Sequence, residues 1–200
     1  SLQDIPSKPT WSFPPRPWTS HVSWIAPNPH DADILLVGIE LGGVMYTEDG
    51  GNSWRDHPDE AIRDCHALAW HPTAKGRAYQ TGGGGPAAWS EDGALTWERL
   101  ETGTDRFYGW ALAVDPYDPD CWYMSASPSA GNAHSDHNAQ AYIYRWQNDG
   151  PWVPLTGETQ QPLNVMPYAL YIYEGVLYAG FRDGSLQYSL DQGETWRTAK

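Results

Sequence analysis

Basic residues are scarce in this sequence: 12 Lys and Arg stand against 25 Asp and Glu, a net charge of −13. Duplex and single-strand binding rest on Lys and Arg neutralising phosphates, so the balance argues against a nucleic-acid partner. It argues equally against an anionic membrane surface. Cysteine occurs only at Cys65 and Cys121, in a spacing that matches no zinc or redox motif. Both lie near apolar, strand-like stretches and read as buried free thiols; a disulfide between them does not follow from spacing. No run of 18 apolar residues is present, so no membrane span is expected. Ser1-Leu2-Gln3-Asp4 lacks the charged and apolar regions of a secretory signal, so no signal peptide is visible and a soluble chain is expected. Long helical periodicity is missing, and no cofactor motif appears. What is abundant is aromatic: 12 Trp and 12 Tyr, interspersed with 20 Gly and 17 Pro. Strand formers broken this often by turn formers indicate many short strands.

Laying the chain on itself exposes a repeat. Thr47-Glu48-Asp49-Gly50-Gly51-Asn52-Ser53-Trp54 aligns with Ser90-Glu91-Asp92-Gly93-Ala94-Leu95-Thr96-Trp97 and with Ser189-Leu190-Asp191-Gln192-Gly193-Glu194-Thr195-Trp196. The shared pattern is Ser/Thr-x-Asp-x-Gly-x-Ser/Thr-Trp, with Ala94 in place of glycine. A worn copy lies at Asn148-Asp149-Gly150-Pro151-Trp152. The tryptophans are spaced 43, 55 and 44 residues apart, and the long step places an insertion of about ten residues in the third unit. Upstream, His21 to Pro29 aligns with His66 to Pro72, Trp110 to Pro116 and Tyr168 to Tyr173. Second strands are expected at 34–39, 77–81, 121–126 and 176–180, third strands at 43–46, 87–90, 141–146 and 185–189, and a fourth from each Trp onward.

Four short antiparallel strands in just over 40 residues is the signature of a propeller blade. The reading is all-β: a β-propeller of four four-stranded antiparallel blades over 21–60, 61–104, 105–160 and 161–200, after an extended Pro-rich arm over 1–20. The repeat resembles the Asp-box, or bacterial-neuraminidase, repeat of sialidases, xyloglucan-type glycoside hydrolases, sortilin-type receptor ectodomains and photosystem-assembly propellers. The likeness covers nearly all of the chain beyond residue 20. It implies rings that commonly need six or more blades. With four counted, a piece of a larger propeller is expected, or a homodimer completing one ring.

Within each box, Asp49, Asp92 and Asp191 are expected to accept backbone amides across the turn. Gly51 and Gly193 supply a positive φ, and Trp54, Trp97 and Trp196 pack between sheets. These residues recur in every unit whereas an active site occurs once, so their role reads as structural.

Functional candidates gather at the opposite strand ends, where the opening residues of each first strand share a rim with the second turn. The ligand-binding candidates are His21, Glu40, His66, Arg106, Tyr108, Trp110, Tyr168 and Arg182. Catalytic carboxylates for glycoside hydrolysis, which needs two, would come from Glu40, Asp64, Asp136 and Asp183. His134, Asp136 and His137, in the third unit's insertion, carry metal-ligand chemistry but read first as solvated loop residues. Gly82 to Gly85 lacks the spacing of a phosphate loop and reads as a flexible turn. Sialidase chemistry, as the resemblance implies, needs three arginines. Arg63, Arg106 and Arg182 lack the expected motif, and those roles are not carried over. Two functions remain: a binding or assembly propeller with a carbohydrate or protein ligand at the channel mouth, and a glycoside-hydrolase-like enzyme using the same face. The first is preferred.

Overall fold

The computed structural model describes residues 1–12, 21–155 and 161–199. The chain divides into two compact units, Ser1–Leu100 and Glu101–Lys200. In the first unit, β1 (Val22–Asn28), β2 (Asp31–Ile39) and β3 (Gly43–Thr47) form one antiparallel meander, and β4 (Asp64–Trp70), β5 (Ala78–Gly83), β6 (Ala87–Ser90) and β7 (Glu98–Arg99) form a second. In the second unit, β8 (Tyr108–Val114), β9 (Cys121–Ser127), β10 (Tyr142–Gln147) and β11 (Val153–Pro154) form a third. A fourth is made of β12 (Pro167–Tyr173), β13 (Val176–Phe181), β14 (Leu186–Ser189) and β15 (Arg197–Thr198). Helix is confined, among the described residues, to two 3-10 turns and a single turn α1 (Ala130–Ala133).

The repeated turn explains why each meander closes as it does. The hydroxyls of Thr47, Ser90 and Ser189 each donate to the Asp two residues on and accept the backbone N–H four residues on. Asp49, Asp92 and Asp191 then take both the backbone N–H and the hydroxyl of Ser53, Thr96 and Thr195. Hydrogen bonds of this kind favour the ionised carboxylate. Asp49 and Asp191 are held down at about 2. Burial pushes Asp92 upward, yet its bonds from Thr96, Ser90 and Leu95 leave it lowered. Gly51, Ala94 and Gly193 occupy the same positive-φ position, at 88°, 68° and 92°. The worn copy uses other chemistry. Asn148 and Asp149 both have positive φ, 53° and 54°, and Gly150 N–H donates to the Gln147 carbonyl at 3.0 Å. That is a type I′ turn, for which Asn and Asp are among the preferred residues. Trp152 beyond it is buried against Trp122 and Trp146.

One expected strand is reduced to a single bridge. After the first turn, Tyr46 pairs with Arg55, and the ladder stops there. In the second and fourth meanders the pairing continues to Leu100 and Ala199, whose N–H groups bond Ala87 and Leu186 carbonyls. In the first, the His57 ring takes over: Nδ1 accepts the Val44 N–H at 3.2 Å. Asp56 is drawn off to Ser7, accepting its N–H at 2.8 Å and its hydroxyl at 2.5 Å. Residues 1–12 are wound into the two 3-10 turns, Leu2–Asp4 and Lys8–Thr10, instead of running extended; the rest of the arm lies outside the described residues.

Two apolar clusters form the main cores. In the first unit Leu36, Val44, Tyr46, Ile62, Cys65, Leu68, Trp70 and Trp97 pack together. In the second, Ala111, Tyr123, Ile143, Leu170, Leu177 and Phe181 do so. Both cysteines are free and buried; burial pushes Cys65 up to about 12 and raises Cys121. Gly82 belongs to β5 and is no mere turn residue: a Cβ there would stand 2.1 Å from the Asp64 carbonyl, so only glycine lets β5 approach β4.

Candidate functional site

The register of all four first strands breaks at the same place. Shifts fall between Val22 and Trp24, Cys65 and Ala67, Gly109 and Leu112, and Pro167 and Ala169. A bulge there turns the extra side chain out of the ladder, which is how sheets re-aim residues near sites. The re-aimed positions are Ser23, His66, Trp110 and Tyr168. This corrects the alignment above, which put His21 level with His66. Pairing of the second strands places His21 beside Asp64 and Tyr108 in the repeat, one residue before the strand partner of Ile39, Gly82 and Ala126. The alignment matched Pro27 to Pro72, whereas the 43-residue step from Trp54 to Trp97 matches Pro29 to Pro72 and so His21 to Asp64. Ser23 uses its position structurally, donating to the carbonyls of Cys65 at 2.8 Å and Gly38 at 3.2 Å.

In the first unit these ends bring His21, Glu40, Asp64 and His66 together. The Glu40 N–H donates to the His21 carbonyl at 3.0 Å, and His21 Nδ1 lies 3.8 Å from Glu40 Oε2. His66 Nε2 lies 3.4 Å from Asp64 Oδ2. Partial burial raises the Glu40 carboxyl, the charge of Asp64 adds to the rise, and His66 and His21 offset it. A carboxyl raised in this way, with a second carboxyl group beside it, has the chemistry from which a general acid is built.

In the second unit the third meander's insertion folds back over the aromatic candidates. Ser129 caps α1 by accepting Asn132 N–H, and Ala133, Ala139, Ala141 and Met166 are buried beneath it. Ala133 and Ala139 anchor the insertion, while His134, Asp136 and His137 stay exposed on it, as expected of loop residues. Trp110 and Tyr168 stack with ring centroids 4.8 Å apart, 23° from parallel. His134 stands edge-on to Trp110 at 5.2 Å. Its Nδ1 lies 2.9 Å from the Tyr168 hydroxyl and its Nε2 3.3 Å from that of Tyr108. The Tyr168 hydroxyl donates to the Ala133 carbonyl at 3.3 Å. The neutral tautomer with the proton on Nδ1 satisfies every one of these bonds, with Tyr108 donating to Nε2. Burial raises the Tyr168 phenol, with Arg182 opposing and Asp136 adding.

The remaining candidates have local employment. Arg182 pairs with Asp136. Asp183 accepts the N–H and hydroxyl of Ser185, bonds that lower its carboxyl. Arg106 donates to the Gln140 carbonyl at 2.7 Å, pairs with Asp105 at 2.6 Å and lies over the Tyr142 ring. His134, Asp136 and His137 are not gathered as ligands: among the described residues no three His, Cys, Asp or Glu side chains converge to hold a metal ion. His134 spends both nitrogens on tyrosines instead. Sequence reading missed Ser23, His57 and Ser125, whose hydroxyl donates to the Pro167 carbonyl at 2.8 Å. A polar residue inside an apolar strand was the available signal for Ser125.

The sequence matches no protein-family model and no curated protein. Solved structures resemble it in fold. The GH74 xyloglucanase from Xanthomonas campestris aligns with a TM-score of 0.69 at 18% identity, over 88% of this chain and 29% of that one. The Niastella koreensis GH74 enzyme aligns at 0.62 and 21% identity, over 88% and 30%. YCF48 bound to D1 peptide aligns at 0.58 and 14% identity, over 93% of this chain and 54% of that one. The fold of this chain is that of a β-propeller. The chain spans less than a third of the GH74 chains it matches. No helix among the described residues is long and apolar enough to cross a membrane.

Proposed function

We propose that the chain is a binding module made of four propeller blades with Asp-box turns, part of a larger propeller or completed by self-association. Its ligand, a protein or carbohydrate, docks at the strand ends away from the boxes. The observation that carries this reading is the Trp110–Tyr168 stack tied by His134 to Tyr108. It offers an aromatic surface with polar tips, the usual make-up of a recognition site. Asp136, whose charge acts on Tyr168, is already engaged by Arg182, and Asp183 by Ser185. Among fold neighbours, YCF48 is a protein seen with a bound peptide.

A second reading rests on Glu40. Its raised carboxyl beside Asp64 suits a glycosidase acid, and two of the fold neighbours are GH74 enzymes. One experiment separates the two. The chain is incubated with xyloglucan, reducing ends are assayed, and binding of xyloglucan oligosaccharide is titrated in parallel. The binding reading expects no turnover, with any affinity lost at least tenfold in Trp110→Ala. Turnover abolished by Glu40→Gln or Asp64→Asn would replace it with the enzyme.

A further inference from the structure

The N-terminal segment is held as a bound peptide is held. Leu2, Ile5 and Trp11 pack with Val37, Ile39, Met45 and Trp54, and Ile5 is buried. Val37, Ile39 and Met45 are the side chains of β2 and β3 that alternate with Leu36, Val44 and Tyr46, which face the first unit's core. Polar clamps flank the apolar anchors. Asp56 accepts the N–H and hydroxyl of Ser7. Trp11 Nε1 donates to the Ser7 hydroxyl at 3.0 Å. The Arg63 guanidinium donates to the Thr10 carbonyl, and Ser12 N–H reaches the Leu41 carbonyl at 3.4 Å. Gly42 lies under the indole: a Cβ there would stand 2.4 Å from Ile39 Cγ2 and 3.1 Å from Trp11 Cγ.

None of these contacts depends on covalent continuity with β1, from which residues 13–20 separate them. We propose that this face is a peptide-docking groove that accepts residues 1–12 of a second copy in place of its own, giving arm-exchanged dimers. The recognised pattern is Leu-x-x-Ile-x-Ser-x-x-x-Trp: two aliphatic anchors, a hydroxyl for Asp56 and an indole over Gly42. The second copy is the partner the structure argues for, because its arm is the one sequence whose fit is on display. Exchange repeats every contact, so it is opposed only by the tether's effective concentration, on the order of millimolar for a short linker.

Reciprocal complementation of full-length chains tests this. One variant breaks the arm (Ile5→Asp with Trp11→Ala) and keeps the groove. The other breaks the groove (Asp56→Ala with Arg63→Ala) and keeps the arm. Each is expected to be monomeric alone. Mixed, they are expected to form a heterodimer by light scattering across a dilution series, since neither chain's own arm competes for the intact groove, and the heterodimer is abolished when both carry the groove changes. Two persistent monomers in the mixture would overturn the proposal. Should either variant fail to fold, the wild-type chain is titrated with a synthetic peptide of residues 1–12. Displacement predicts faster hydrogen exchange at the Ser7 amide, with no such effect from the same peptide carrying Ile5→Asp. Unchanged exchange at millimolar peptide would overturn it equally.

Discussion

Adding one methyl group at Gly193 and at Gly51 should give different outcomes, although the two glycines hold the same place in the repeated turn. Both have left-handed backbones, φ 92° and 88°. An L-residue there costs roughly 1–2 kcal/mol. At Gly51 that is nearly the whole effect, because the nearest atom to the new Cβ is Trp54 Cζ2 at 3.4 Å, an ordinary contact. At Gly193 the Cβ would stand 2.4 Å from Leu155 Cδ1, and Leu155 is buried. Forcing that side chain aside adds an overpacking cost of about 1–3 kcal/mol. Gly193→Ala is therefore expected to lose about 2–5 kcal/mol and Gly51→Ala about 1–2 kcal/mol. Ala94 shows that alanine can live at this position, at φ 68°, where its methyl is buried in the core beside Trp97. Ala94→Gly relieves the backbone but forfeits about 0.8 kcal/mol of methyl burial and raises unfolded-chain entropy, so it should fall within about 1 kcal/mol of neutral. Urea unfolding followed by tryptophan fluorescence measures all three. Equal losses for Gly193→Ala and Gly51→Ala would refute the reasoning, since only the Leu155 contact separates them.

Other consequences follow from buried groups. Burial, with Arg63 nearby, lowers His57 below the ordinary value of about 6.5. The unfolded chain then binds the proton more tightly, so the stability from neutral His57 is complete above about pH 6.5 and is lost as pH falls through the lowered folded value. Asp56, Asp59 and Arg99 also act on the ring. His57→Asn should flatten the stability profile below about pH 6.5 relative to wild type, and an unchanged slope would be contrary evidence. Cys65 and Cys121 should resist a disulfide reagent at pH 8 in the folded chain and react in denaturant; a fast native thiol would contradict their placement. Tyr168→Phe keeps the stack on Trp110 but removes the hydroxyl between His134 and the Ala133 carbonyl. It should cost about 0.5–1.5 kcal/mol and speed amide exchange across 133–138, whereas unaltered exchange there would count against the His134 bridge.

What the sequence disclosed, and what it hid, follows from the range of the interactions involved. The repeated turn was legible because Ser or Thr, Asp, Gly and Trp act on one another within eight residues, and the hydrogen bonds of Asp49, Asp92 and Asp191 are the ones their spacing implied. The bulges were hidden because a bulge is defined by its partner strand, and nothing near Ser23 or His66 announces it. His21, by contrast, was set two places wrong through the match of Pro27 to Pro72, although the step between the first two boxes places it level with Asp64. His57 could not be foreseen in its role, since it stands in for a ladder that Ser7 dismantles from 49 residues away. The second unit's candidates had been divided between ligand binding, for Tyr108, Trp110 and Tyr168, and metal binding, for His134. The fold unites them by burying Ala133, Ala139, Ala141 and Met166, four unremarked apolar positions that bring the insertion down. Apolar packing thus decides which polar residues meet. In an otherwise repetitive chain, the one irregular insertion is where a site specific to this protein can be built, because residues repeated in every meander are already committed to the fold.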